Sequence, residues 1–79
     1  MRIRIHYYAS LRERRGLDEE SIETNQTSVR ALYHQLSSLH QFGLGDAVVG
    51  PAINDEFCDW DRPLCEGDFV VFIPPVAGG

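Results

Sequence analysis

The last six residues of this chain, Pro74-Pro75-Val76-Ala77-Gly78-Gly79, are the ones whose types and order point to chemistry. Two prolines hold the exit extended, and the side chains then dwindle to nothing at Gly78 and Gly79. Six extended residues span roughly 20 Å at about 3.3 Å each. That length carries a terminal carboxylate deep into another protein while the body stays outside. A terminus without Cβ passes a narrow channel and adopts φ values that other residues avoid. The chemistry open to it is acyl chemistry. A carboxylate is a poor electrophile until it becomes a mixed anhydride, for example with the α-phosphate of ATP. A thiol, an amine or a persulfide can then attack the carbonyl carbon. The plain alternative is a frayed chain end, and Pro-Pro-Val directly after a strong final strand argues against it.

Other reactive side chains form no comparable pattern. His6, His34 and His40 share no metal-ligand spacing with one another or with the cysteines, and are expected to be solvated or satisfied in place. Cys58 and Cys65 are too few for a disulfide scaffold or for a zinc site of thiolates alone. They read as reduced, partly buried thiols, with a sulfur-handling role as the sharper alternative. Asp59 and Asp61 flank Trp60 in a turn, where solvated carboxylates are a simpler reading than a catalytic pair.

The elements that must position the tail follow from periodicity. Arg2 to Tyr7 alternates, with Ile3, Ile5 and Tyr7 on one face and Arg2, Arg4, His6 and Tyr8 on the other. Ser10 to Gly16 reads as a loop or short helical turn, and Glu20 to Thr24 as the return strand of a hairpin. From Val29 the period becomes helical. Val29, Leu32, Leu36 and Leu39 make one apolar stripe, Thr27 or Ser28 is the N-cap, and Gly43 and Gly45 end the helical region. Ala52-Ile53, the turn pair Asn54-Asp55 and then Phe57-Cys58 read as a short hairpin. Phe69 to Ile73 is apolar on both faces and β-branched or aromatic, as befits a central strand. Pro74-Pro75 stops its ladder, having no N–H to donate. Strand, strand, helix, short strands and long strand give an α+β layer pair with a mixed sheet and one main helix on one face, the pattern of a β-grasp. Residues 1–73 form this domain and 74–79 an extended Gly-Gly tail.

Composition narrows the classes of function. Seventy-nine residues with 43% hydrophobic and 24% charged content make one globular domain. So short a chain buries only about 60–65% of its unfolded surface, which leaves no room for a deep private active site. A carrier, adaptor or subunit that completes its chemistry on a partner is favoured. The net charge is −5, and all seven cations are arginine. Residues 1–30 hold six arginines against five acids, whereas residues 31–79 hold Arg62 against seven acids. No footprint for nucleic acid exists here, and the acidic half suggests a basic surface on the partner. Met1 to Tyr8 alternates Arg and Ile and offers no apolar stretch of the signal-peptide kind, so no signal peptide is expected. The longest apolar run, Phe69 to Ile73, is far short of a membrane span. A cytoplasmic protein without membrane contact is expected.

The run from Arg62-Pro63-Leu64 through Glu66-Gly67-Asp68-Phe69-Val70-Val71-Phe72-Ile73 to the terminal Gly78-Gly79 resembles the C-terminal signature of the molybdopterin synthase small (sulfur carrier) subunits, ubiquitin-like β-grasp proteins. Tyr7-Tyr8-Ala9 with Leu11-Arg12-Glu13 is similar to that family's first strand and turn, and Ala52-Ile53-Asn54 to its middle strand. The resemblance implies that Gly79, led by Gly78, is adenylated by an E1-like adenylyltransferase using ATP. A persulfide sulfur donor then converts it to a thiocarboxylate. The charged tail would enter the molybdopterin synthase large subunit, which carries the catalytic side chains, and give sulfur to cyclic pyranopterin monophosphate in molybdenum cofactor biosynthesis. No cofactor is bound by the carrier itself. Apolar residues matching Tyr8, Phe57 and Ile73 contact partners in this family, and Pro74, Pro75, Val76 and Ala77 line the tail. Strand parity places Phe69 and Val71 on that outward face as well. The resemblance leaves open a free chain or a heterotetramer with two large subunits. Two other uses fit the same tail: sulfur carriage for another pathway, such as the thiazole of thiamine, or protein modification of the ubiquitin kind. Plant-type ferredoxins share the fold but need four cysteines.

Overall fold

A computed structural model describes residues 1–75. Seven elements follow in order: β1 (Arg2–Tyr7), α1 (Ala9–Arg15), β2 (Glu19–Glu23), α2 (Val29–His40), β3 (Gly50–Ile53), β4 (Glu56–Phe57) and β5 (Phe69–Ile73). The strands form one mixed sheet in the order β2-β1-β5-β3-β4. The central pair β1–β5 is parallel, and the other pairings are antiparallel. β5, apolar on both faces, takes the middle of the sheet as its composition requires.

The buried side of the sheet follows the strand alternation. Ile3, Ile5 and Tyr7 from β1, and Val70 and Phe72 from β5, are fully buried beneath α2. Ser28 caps α2, its Oγ accepting from the Ala31 N–H at 3.2 Å. The buried stripe of the helix is Val29, Leu32, Tyr33 and Leu36, so two details of the expected stripe change. Leu39 is 66% exposed. At 3.6 residues per turn it points roughly 70° away from the mean direction of the buried four. Tyr33 takes the face instead. Its ring packs on Phe42, Trp60 and Phe72, and its hydroxyl donates to the Leu44 carbonyl at 2.6 Å. The helix also stops earlier than its glycines. Gln41 adopts the left-handed conformation (φ 53°) at the C-cap, ahead of Gly43.

The segment read as a loop or short helical turn is a helix, α1. Its end is set by Gly16, left-handed at φ 82°, whose N–H returns to the Arg12 carbonyl at 2.8 Å. In the β3–β4 hairpin Asn54 and Asp55 both have positive φ (52° and 73°), the pairing that matches the twist of a two-residue hairpin. Asn54 is held there by its own side chain, which donates to Asp68 and accepts from the Phe69 N–H. That network fixes the start of β5, and so the register of the strand that leads into the tail.

Candidate functional site

The face of the sheet turned away from α2 is built by strand parity. Register sets Phe57 beside Ala52, Ala52 beside Val71, and Val71 beside His6. Tyr8 follows β1 at the same end as Ile73. Together Tyr8, Ala52, Asp55, Phe57, Val71 and Ile73 line a depression of ≈ 400 Å³. Ala52 and Val71 form its buried floor, and Tyr8 (45% exposed) and Phe57 (76% exposed) stand at its rim. An aromatic ring left that open on a two-residue edge strand gains nothing from the fold around it. Scattered apolar residues need no explanation, but several on adjacent strands form a patch. Phe69 also faces this side, though it is less available than parity alone suggests. The Arg4 guanidinium lies over its ring at 4.6 Å, and His6 packs against it edge-on.

The tail leaves from the same end. Ile73 is half-buried, Pro74 is buried and Pro75 is exposed. Ile73, Pro74 and Pro75 border a second groove of ≈ 480 Å³, whose other wall is Tyr8, Ala9, Ser10 and Glu13 at the start of α1. Tyr8 is the ridge shared by both depressions. The structure thus brings Tyr8, Phe57, Ile73, Pro74 and Pro75 to one continuous surface. Val76, Ala77, Gly78 and Gly79 lie outside the described residues.

The remaining candidates gather no site. Cys58 is half-buried and Cys65 exposed, both as free thiols. Burial pushes the Cys58 thiol up against the opposing pull of Arg62, so the reactive thiolate is disfavoured there. His34 meets Asp46 at 2.8 Å, and His6 lies 3.7 Å from Glu19. Burial, with the Arg15 charge second, pulls His40 down. Asp59 and Asp61 are exposed, the latter paired with Arg30. Trp60 between them sits in the expected turn, which the Arg62 N–H closes on the Asp59 carbonyl at 3.1 Å, but its ring turns inward. It stacks on Phe72 with ring centroids 6.0 Å apart and packs on Tyr33, closing one end of the core. Among the described residues no group of three or more His, Cys, Asp and Glu is placed to hold a metal ion. Nor is any helix there long and apolar enough to cross a membrane. Sequence reasoning missed Ala52 and Asp55. Pairing Phe57 with Ala52 across the Asn54-Asp55 turn would have found the first.

A sequence profile of the ThiS family matches residues 5–79. The chain belongs to the ThiS family. Its full length is also 31% identical, over 80 aligned residues, to the molybdopterin synthase sulfur carrier subunit of Escherichia coli K12, covering 98% of this chain and 99% of that one. Among solved structures, a molybdopterin converting factor subunit 1 from Pyrococcus furiosus superposes with a TM-score of 0.81 at 34% identity, over 96% of this chain and 99% of that one. A complex of subunits 1 and 2 of the molybdopterin-converting factor from Helicobacter pylori 26695 contains a chain that matches with a TM-score of 0.70 at 25% identity, over the whole of both. Solved structures similar to this chain therefore share its ubiquitin-like β-grasp, and one of them is a complex with a second subunit.

Proposed function

We propose that this chain is the sulfur carrier subunit of a molybdopterin synthase, with the terminal carboxylate of Gly79 as the group that carries sulfur. The observation that carries this reading is the full-length identity to a molybdopterin synthase sulfur carrier subunit, joined to a chain that ends in Gly78-Gly79. The geometry supports it in a specific way. An apolar depression with open aromatic rims lies beside the point where the tail leaves the sheet. One partner surface can therefore seat the domain on Tyr8, Phe57 and Ile73 and receive the tail at the same time.

The chemistry runs in two stages. An E1-like adenylating partner joins the Gly79 carboxylate to the AMP portion of ATP and releases pyrophosphate. The terminal sulfur of a persulfide attacks the acyl carbon and AMP leaves. A thiol then cleaves the sulfur–sulfur bond and frees the thiocarboxylate. In the synthase the large subunit supplies the catalytic side chains. Two thiocarboxylates, one for each sulfur of the dithiolene, give their sulfur to cyclic pyranopterin monophosphate, and water hydrolyses each acyl–sulfur bond so that the chain returns as a carboxylate. The carrier holds no cofactor of its own in this scheme, and ATP is spent by the activating partner.

Intact mass after incubation with the adenylating partner, ATP and a persulfide source tests the first stage. The expected result is a gain matching one oxygen replaced by sulfur, mapped to Gly79. Dithiolene formation on mixing the thiolated chain with the large subunit and cyclic pyranopterin monophosphate tests the second. Thiolation without dithiolene would move the chain to another sulfur-transfer pathway, and lysine-linked conjugates would make it a protein modifier.

Docking has its own prediction. Phe57→Asp is expected to leave the fold intact, because the side chain is 76% exposed on an edge strand. Its affinity for the large subunit should fall about 30-fold or more, the range of a buried aromatic anchor. Calorimetric titration against the isolated large subunit reads this directly, and an unchanged Kd would remove Phe57 from the interface.

A further inference from the structure

The Arg15–Glu20–Tyr7 cluster lies outside the docking face and outside the tail, and the chemistry proposed above gives it no part. Glu20, on β2, receives three hydrogen bonds of 2.7 Å. Arg15 Nε and the Tyr7 hydroxyl donate to Oε2, and Arg15 Nη2 donates to Oε1. The Glu20 side chain is only 13% exposed and that of Arg15 25%. The bidentate guanidinium holds the Glu20 carboxyl below its usual range. Burial, with Glu20 second, raises the Tyr7 phenol far above its ordinary value, so it stays a donor.

The cluster grips an element that is otherwise thinly attached. Of the seven residues of α1 only Leu11 is buried. Arg15 is its last residue, and Ala9, Ser10 and Glu13 of the same helix form the wall of the groove that Ile73, Pro74 and Pro75 border from the other side. Between β1 and α1 the chain bends through Ala9 at φ 49°, a left-handed conformation that is strained for a non-glycine residue. Such a residue persists where its surroundings over-determine it. Here β1 fixes one side of the bend, while Leu11 and Arg15 fix the other.

We infer that Arg15 and Glu20 are positioning residues, which anchor the far end of α1 so that its wall of the groove stands fixed opposite Pro74 and Pro75 and sets the direction in which the tail leaves the domain. Neither lines the docking depression. Their consequence for sulfur transfer rests on the sulfur-carrier reading; their consequence for Pro74 does not.

The test compares Arg15→Met with the full chain by two readouts. In magnetic resonance, the carbon signals of Pro74 and Pro75 should shift together with the amides of α1, while the amides of Ile5 and Val70 stay in place. In transfer assays with the adenylating partner, kcat should fall about tenfold and KM for the carrier should change by less than about twofold, the pattern of a misplaced reacting group on an intact docking face. Arg15→Lys, which keeps the charge and one hydrogen bond, should recover most of the rate. Should Arg15→Met fail to fold, Glu20→Asp shortens the reach by one methylene and is read the same way. Unmoved Pro74 and Pro75 signals beside disordered α1 amides would overturn the inference, as would a KM effect with kcat unchanged. If the unaltered chain takes up no sulfur, the carrier reading fails, and the proline signals still decide whether the anchor aims the tail.

Discussion

Deleting Gly79 is expected to abolish sulfur transfer while leaving the melting temperature of the domain unchanged. The ladder ends at Ile73, and the last buried residue described is Pro74. Gly79 lies five positions beyond that residue in the chain, and the stability change on its removal is expected to stay within about 0.5 kcal/mol. On the proposed sulfur-carrier reading the reacting group is the chain terminus itself, so the expected chemical effect is far larger. A shortened tail still ends in a carboxylate, but its carbonyl carbon is withdrawn by about 3.3 Å. Misplacement by only about 1 Å can cost a positioned reaction roughly 100-fold, so a full residue should bring transfer below detection. The measurement pairs thermal unfolding with intact mass after incubation with the adenylating partner. A truncated chain that still gained sulfur, or still supported molybdopterin formation, would show that the terminus is not the carrier atom.

The parts of this fold that were legible in the sequence are those where one pattern dominates. β1 and β5 alternate or run apolar so plainly that their buried residues, Ile3, Ile5, Tyr7, Val70 and Phe72, follow from parity. The same parity sets Tyr8 and Ile73 on the opposite face, and the Asn54-Asp55 turn sets Phe57 beside them. Illegible features arose where two patterns compete. Tyr33 carries a polar tip, so a stripe drawn through aliphatic residues passes it over, although its ring joins Phe42, Trp60 and Phe72 at the centre of the core. Trp60 was hidden between two aspartates that do face water. α1 has one buried residue and three arginines in its last turns, so periodicity had nothing to register. What orders it is an ion pair to β2, a tertiary contact that no local window contains. The docking face was found through its rim, since Phe57 and Tyr8 are large, while its floor of Ala52 awaited the strand register. Val76 to Gly79 rest on the sequence and on kinship with the ThiS family, since they lie outside the described residues.

Phe72→Ala should be the most destabilising single substitution in the sheet. Phe72 is fully buried, pairs with Tyr7 and Pro51 on the neighbouring strands, and packs on Tyr33 (ring centroids 5.1 Å apart) and Trp60. Removing a buried phenylalanine ring costs about 3–5 kcal/mol, the lost transfer energy plus the cavity left behind. A domain of this length has a total stability of roughly 4–12 kcal/mol at about 0.05–0.15 kcal/mol per residue. The loss is therefore comparable with the whole margin, and it should lower Tm by about 12–40 °C at about 4–8 °C per kcal/mol. Two aromatic neighbours make collapse of the cavity difficult, because Tyr33 is tied to the Leu44 carbonyl and cannot swing inward without breaking that bond. Urea unfolding of Phe72→Ala beside Phe57→Ala separates burial from mere aromatic content. The first should move the midpoint strongly at constant m-value, and the second hardly at all. Equal, small shifts for both would mean that Phe72 is not the keystone of the β5–α2 contact. An unfolded Phe72→Ala chain that regained structure on adding the large subunit would show that docking energy can replace the lost core energy.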